Sequence, residues 1–272
     1  MNGNTTKSTR ATDRVLFYDD FSSAELDRSK WNVRITGPIY NDELQAYVDS
    51  PETICFATAD QVTGATGAAL VIQPRYRPNF TSPEGQRFDF ISGRIDTRDH
   101  FDFLYGSAEA RIKLPLGAGL WPAFWMMGYG RWPDIGEIDV MEYVGERDWV
   151  SSAVHGPNYS GEAGLVNKLF FAGADDAAAW HIYRLDWQPD SLVFTVDSQT
   201  IYRVTRPMID FFGSWVFDNR KFLILNFALG GTYPFKTNGV KEPYYGLPAS
   251  TVEMIKRGEV RIAVDWVRVT AE

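Results

Sequence analysis

Apolar residues recur along this chain in short runs, many of them alternating with polar ones. RVLFYDDF (14–21), AALVIQP (68–74), SAEARIKL (107–114), FWMMG (124–128), IYRLDW (182–187), SLVFTVD (191–197), IYRVTR (201–206), KFLILNFAL (221–229) and RIAVDWVRV (261–269) are such runs. A two-residue period puts alternate side chains on one face of a strand. Turn residues separate the runs at spacings suited to a sandwich, so the pattern predicts an all-β fold. Two stretches carry helical turns in this reading: GADDAAAWH (173–181) and PASTVEMIKRG (248–258). The second has a Ser/Thr start, a Glu in its first turn and Gly258 as a stop. Residues 73–90 and 232–247, with their Pro, Gly and Tyr/Phe, read as long loops that form groove walls.

One run breaks the pattern. Glu137-Ile138-Asp139-Val140-Met141-Glu142 puts three carboxylates into a segment that otherwise reads as a strand. Acids are depleted from strands, and three together repel one another, so a cation or a chemical role must offset the cost. In a regular strand Glu137 and Asp139 share a face and Glu142 points away. A β-bulge adds one residue and returns Glu142 to that face. Glu137 and Glu142 then sit about 13 Å apart at Cα. Their carboxyls can lean to about 5–6 Å, near the separation of a retaining glycosidase pair.

Three readings compete for the acids: a solvated edge strand, a site for calcium or magnesium, and a carboxylate pair for general acid and nucleophilic work. Large apolar flanks speak against the first. The absence of a nearby His and of calcium-loop glycines speaks against the second. The third is favoured by the tryptophans around it, Trp121, Trp125, Trp132 and Trp149, because indoles stack on sugar rings as well as packing cores. We expect Trp125 in the core. Trp121 and Trp132, each followed by Pro, are expected to line a groove.

Composition narrows the picture. Hydrophobic residues make up 44% and aromatic residues 15% of 272 residues, enough for one large core. Without a linker or an internal repeat, 14–272 reads as a single β-sandwich domain behind a disordered polar tail, 1–13. A net charge of −8 with no basic run argues against a nucleic-acid partner. No run reaches transmembrane length, so no membrane is expected either. The lone cysteine, Cys55, can form no internal disulfide and reads as a buried strand residue. The sequons at Asn4, Asn79 and Asn158 are near chance in number and carry no inference.

The stretch WPAFWMMGYGRWPDIGEIDVMEYVG resembles the signature of glycoside hydrolase family 16, particularly its laminarinase-like endo-β-1,3-glucanases. NDELQAY (41–47), ISGRIDT (91–97), VHGP (154–157), YRLDWQPDSLVFTVD (183–197), LILNFALGG (223–231) and VDWVRV (264–269) agree, in the family's order. The resemblance runs from about residue 15 to 269. It implies a β-jelly-roll sandwich, concanavalin A-like, with a concave substrate groove. It also implies endo-hydrolysis of laminarin-like β-glucan with retention.

By position Glu137 matches the nucleophile, Glu142 the general acid/base and Asp139 the residue assisting the nucleophile. His155 matches a position near the groove, where it would bind a sugar hydroxyl or a carboxylate. Asn41 and Glu43 match a segment near the glycone side, and Asn41 is expected to contact sugar. Arg94 is expected to organise the cleft by pairing with acids, or to serve an ordinary structural pair. Asn226 faces either a buried partner or the groove. His100 and His181 lack such support; His181 is expected to be satisfied within a strand pairing. In GGTYPF, Tyr233 stands where laminarinase-like members often carry Trp, which weakens any inference about linkage. No cofactor is expected for catalysis. The family's structural calcium would fall on Asp20 and Asp265, with a carbonyl such as that of Gly67.

A polysaccharide is therefore the expected partner, and a monomer the expected state. The first residues lack a signal peptide's apolar stretch; an extracellular location is expected, with a targeting segment removed. Two alternatives stay open. One keeps the mechanism on mixed-linkage β-glucan or a galactan such as agarose or carrageenan. The other is a non-catalytic, lectin-like glycan-binding sandwich.

Overall fold

In the computed structural model, residues 14–23, 25–35, 40–172 and 177–271 are described. Two antiparallel sheets carry most of the strands. One has seven, in the order Leu165–Phe170, Trp149–His155, Glu137–Glu142, Leu120–Met127, Phe222–Leu229, Arg94–Asp96 and Asn32–Val33. The other runs Gln199–Thr205, Ser191–Val196, Trp180–Gln188, Gly106–Lys113, Ile262–Ala271, Ala69–Ile72 and Ile54–Ala57, with Arg14–Asp19 also paired to Ile262–Ala271. Their inner faces close on one apolar cluster that includes Phe124, Ile138, Met141, Tyr183, Trp187, Phe194, Leu225 and Val267. This is the β-jelly-roll sandwich that the resemblance implies.

The two-residue period does what physics asks of it. Trp180–Gln188 alternates between half-buried and buried along its whole length, and each fully buried large side chain is worth about 1.5–3 kcal/mol. All nine runs picked out by pattern lie on strands. Phe222–Leu229 is buried at every position. It lies between two strands, and side chains from outside the sheet cover its outer face. Tyr47 meets Asn226 there, and Tyr129 packs edge-on against Phe222.

Several expectations need correction. The loop at 73–90 is instead a hairpin, Arg75–Thr81 with Arg87–Ser92, joined by Gln45–Tyr47 as a third, parallel strand. Pro78 disguised it, since Pro is confined to strand edges and bulges; the register shifts between Tyr76 and Phe80 to accommodate it. The stretch 232–247 opens on a helix, Thr232–Asn238. Cys55 is only partly buried. Of the helical reading at 173–181, residues 173–176 lie outside the described residues; Ala177–Ala179 form a turn and Trp180 begins a strand. The tail 1–13 also lies outside them. The second helical reading holds as Ala249–Lys256, with Gly258 at φ 71° beyond its end, but Glu253 falls past the first turn. No side-chain cap opens that helix.

Candidate active site

The predicted bulge is present. In the neighbouring strand Ser151, Ala153 and His155 alternate regularly onto the outer face of the seven-stranded sheet. Their partners are Glu142, Asp139 and Glu137, and the register shifts between Asp139 and Glu142. On the other side Trp125 pairs with Asp139 and Phe124 with Met141, so Val140 is the extra residue. Val140 and Met141 both turn into the core, and the Val140 carbonyl accepts a hydrogen bond from Ser152 Oγ (2.8 Å). All three acids therefore look outward together.

Each glutamate has its own indole. Trp132 Nε1–H donates to Glu137 Oε2 (2.7 Å) and Trp121 Nε1–H to Glu142 Oε1 (3.1 Å). Asp139, 3% exposed, lies between them. It shares a hydrogen bond with Glu137, and its Oδ2 lies 3.3 Å from His155 Nε2.

Burial pushes all three carboxyls up, each to about 8. The charge of Asp139 adds to the rise of Glu137 and Glu142, while His155 and the indole donors oppose it. Arg94 also acts on Glu137, in the direction of the ionised form. The trio thus holds protons at a pH where isolated carboxylates would be fully charged.

Trp125 corrects the sequence reading. It is half-buried on the outer face beside Asp139, not in the core. Its Nε1–H donates to Asn226 Oδ1 (2.7 Å), and the Arg94 guanidinium lies 4.9 Å from its ring centroid. Asn226 is therefore held between Trp125 and Tyr47, since its amide also donates to Tyr47 Oη (3.0 Å). Arg94 stacks on an indole at the cleft rather than capping one acid. Glu43 accepts from Gln45 (2.8 Å) and is hydrogen-bonded by Asn41 and Tyr47. Asn41 is exposed, with φ 53°. Tyr233 meets the Trp121 ring edge-on, centroids 5.5 Å apart, and its hydroxyl lies 3.1 Å from Ser151 Oγ, beside Glu142.

The structure thus gathers Trp121, Trp132 and His155 directly on the acids and sets Tyr233, Asn226 and Arg94 one shell out. Asn41 touches none of the acids of the trio: its side chain hydrogen-bonds Glu43, and its carbonyl accepts from the Thr232 amide (2.7 Å), next to Tyr233. His100 lies elsewhere, its Nε2 3.0 Å from Asn32 Oδ1, and His181 Nδ1 meets Asp197 Oδ2 at 2.5 Å. Sequence reading missed Tyr47, Ser151 and Lys221. The two-residue period from Glu142 and His155 could have flagged Ser151; nothing local marks the others.

Lys221 is fully buried. Its ammonium donates to the Ile135 carbonyl (2.6 Å) and Asn219 Oδ1 (2.7 Å). Burial pulls it down to about 7. It thereby ties the segment carrying Trp132 to the segment 216–219. Gly136, at φ 67°, makes the last turn before Glu137; a Cβ there would stand 2.6 Å from the Val216 carbonyl oxygen. Gly164 closes over His155 in the same way, its would-be Cβ only 2.6 Å from Nδ1.

The calcium expectation does not fit the residues assigned to it. Asp265 is buried, and what faces its carboxylate is donors: Thr66 N–H (2.8 Å), Thr66 Oγ1–H (2.9 Å) and Arg111 Nη1–H (2.6 Å). A guanidinium already supplies the positive charge, and calcium needs oxygen acceptors. Asp20 accepts from the Ser22 amide instead.

A family model described as Glycosyl hydrolases family 16 matches residues 52–213. The beta-glucanase of Rhodothermus marinus is 32% identical over 235 residues, 80% of this chain and 76% of its own length. The glucan endo-1,3-beta-glucosidase of Cryptopygus antarcticus is 33% identical over 230 residues, covering 79% of this chain and 80% of its own. Among solved structures, the endo-beta-1,3-glucanase of Pyrococcus furiosus is similar with a TM-score of 0.80 at 30% identity, over 95% of this chain and 94% of its own.

Proposed function

The chain belongs to glycosyl hydrolase family 16, and from that premise we propose that it is a retaining endo-β-1,3-glucanase acting on laminarin-like glucans. The observation that carries the reading is the set of three acids on one face, with a separate indole donor on each glutamate. Residues 14–272 then act as a single catalytic β-sandwich domain, as a monomer, outside the cell where a polymer can reach it. Among the described residues no helix is long and apolar enough to cross a membrane.

Glu137 is the nucleophile in this proposal. Burial raises Glu137 as it raises Glu142, but Glu137 has the shorter indole hydrogen bond, 2.7 Å against 3.1 Å, and Arg94 acts on it toward the ionised form, so of the two it is the one that gives up its proton. Glu142 is the general acid, because burial and the charges of Asp139 and Glu137 keep its proton on at neutral pH. It protonates the leaving oxygen while Glu137 attacks the anomeric carbon. Asp139 hydrogen-bonds Glu137 and keeps His155 beside the pair, its Oδ2 3.3 Å from Nε2. Water then opens the glycosyl ester, with Glu142 now the base. Trp121, Trp125, Trp132 and Tyr233 supply ring faces and edges along the sugar path, while Arg94, Asn226 and Asn41 hold or meet its polar side.

Reducing sugar released from purified laminarin, mixed-linkage β-glucan, agarose and carrageenan tests the substrate. Laminarin should be cleaved fastest, and release from a galactan alone would reject the assignment. NMR of the first products should show the β-anomer, whereas an early α-anomer would exclude retention. Glu137→Gln should lose turnover by several orders of magnitude with binding kept; turnover that survives the substitution would reject Glu137 as the nucleophile, and glycan binding by a parent that cleaves none of the four polymers would favour a non-catalytic glycan binder.

A further inference from the structure

The acids have a fourth neighbour whose chemistry the hydrolytic scheme uses only indirectly. Ligand atoms of Glu137, Asp139 and His155 all lie within 4.8 Å of one another. Asp139 is 3% exposed, and among the described residues its Oδ2 accepts no hydrogen bond although it lies 3.3 Å from the imidazole Nε2. His155 Nδ1 is likewise buried and without a hydrogen-bond partner among the described residues. A buried carboxylate oxygen left without a donor is costly, and a cation seated between it and the imidazole would satisfy it.

We propose that Glu137, Asp139 and His155 form an inhibitory site for a borderline divalent transition-metal ion, with zinc as the representative. Two carboxylate oxygens and one imidazole nitrogen are a donor set for zinc or copper rather than for calcium, which takes six to eight oxygens. In a tetrahedral zinc site with bonds of about 2.0–2.2 Å, ligand atoms stand about 3.3–3.6 Å apart. The Asp139–His155 pair already has that spacing at 3.3 Å. The remaining separations, none above 4.8 Å, need a closure of no more than about 1.5 Å. Glu137 can supply it by rotating its side chain.

The ion would occupy the proposed nucleophile, so metal and sugar exclude each other; that inhibitory consequence rests on the catalytic reading above. The site is also built to be weak. Metal-binding histidines normally anchor their second nitrogen, and losing such an anchor costs about 10–100-fold in affinity. Here Gly164 presses against Nδ1 and offers no acceptor. The geometry points to reversible control by free metal, not to a resident cofactor.

Isothermal titration of the full chain with zinc chloride tests this. One zinc per chain should bind, EDTA should reverse it, and laminarin hydrolysis should be inhibited competitively. His155→Gln should lower zinc affinity at least tenfold while its melting temperature in EDTA stays near that of the parent. Should that variant fail to fold, Asp139→Asn must show the same loss. Cobalt bound to the unaltered chain gives a second readout, a visible absorption band that a laminari-oligosaccharide should displace. Zinc uptake unchanged in these variants, or no uptake at millimolar zinc, overturns the site. Hydrolysis of laminarin without zinc uptake sinks this inference and leaves the enzyme assignment standing; zinc uptake without hydrolysis does the reverse.

Discussion

At the scale of single residues, the active face trades stability for chemistry. Glu137 titrates near 8 in the fold and near 4.3 as a free side chain. Between those values the folded chain holds the extra proton, so stability is fully present below about pH 4 and is lost as pH rises through 8. Glu137→Gln removes that loss. Its melting temperature relative to the parent should rise from pH 4.5 to pH 8, by about 2–4 °C for each kcal/mol recovered; a difference that does not move with pH would contradict the linkage. Trp125 makes a different case. Trp125→Phe keeps a ring under Arg94 but leaves Asn226 Oδ1 without its 2.7 Å donor. Urea unfolding should show a loss of about 1–3 kcal/mol, the cost of an orphaned buried acceptor.

At the scale of elements, the catalytic strand is held by what lies behind it. Lys221 opens onto the strand Phe222–Leu229 and reaches the carbonyl of Ile135, two residues before Glu137. A lysine that titrates near 7 in the fold and near 10.4 when unfolded gives the unfolded state more protons between those values. Parent stability from this group therefore increases with pH across that window. Lys221→Met should destabilise more at pH 9 than at pH 6, because at low pH the parent already bears a buried charge that the variant lacks. Chemical denaturation at the two pH values measures it, and an equal loss at both would remove the buried-charge argument. The Trp132 loop should loosen in the same variant, lowering kcat on laminarin more than it raises KM.

At the scale of the whole molecule, a buried carboxylate in the second sheet is met by a guanidinium from the neighbouring strand. Asp265 is fully buried and Arg111 meets it at 2.6 Å, joining the neighbouring strands Ile262–Ala271 and Gly106–Lys113. Arg111→Met leaves that carboxylate with only Thr66 as donor and should cost about 3–5 kcal/mol. Added calcium or EDTA should leave the melting temperature of the parent unchanged, since a ligand stabilises only where it binds the folded state. A calcium-dependent rise would restore the discarded metal site.

The strand runs, the three acids and the inserted residue between them could be read from the chain alone. Backbone periodicity and charge are local properties, and a carboxylate in a strand is conspicuous wherever the strand goes. Nothing local could tell that Trp125 faces Asp139 instead of the core, because both faces of LWPAFWMM are apolar and only its pairing with neighbouring strands fixes which is which. The same holds for Asp265 and Arg111, 154 residues apart in sequence, and for Lys221 beneath Ile135. Those pairings arise when segments distant in sequence come side by side as the sheets assemble, so they were decided by strand pairing and packing across long sequence separations.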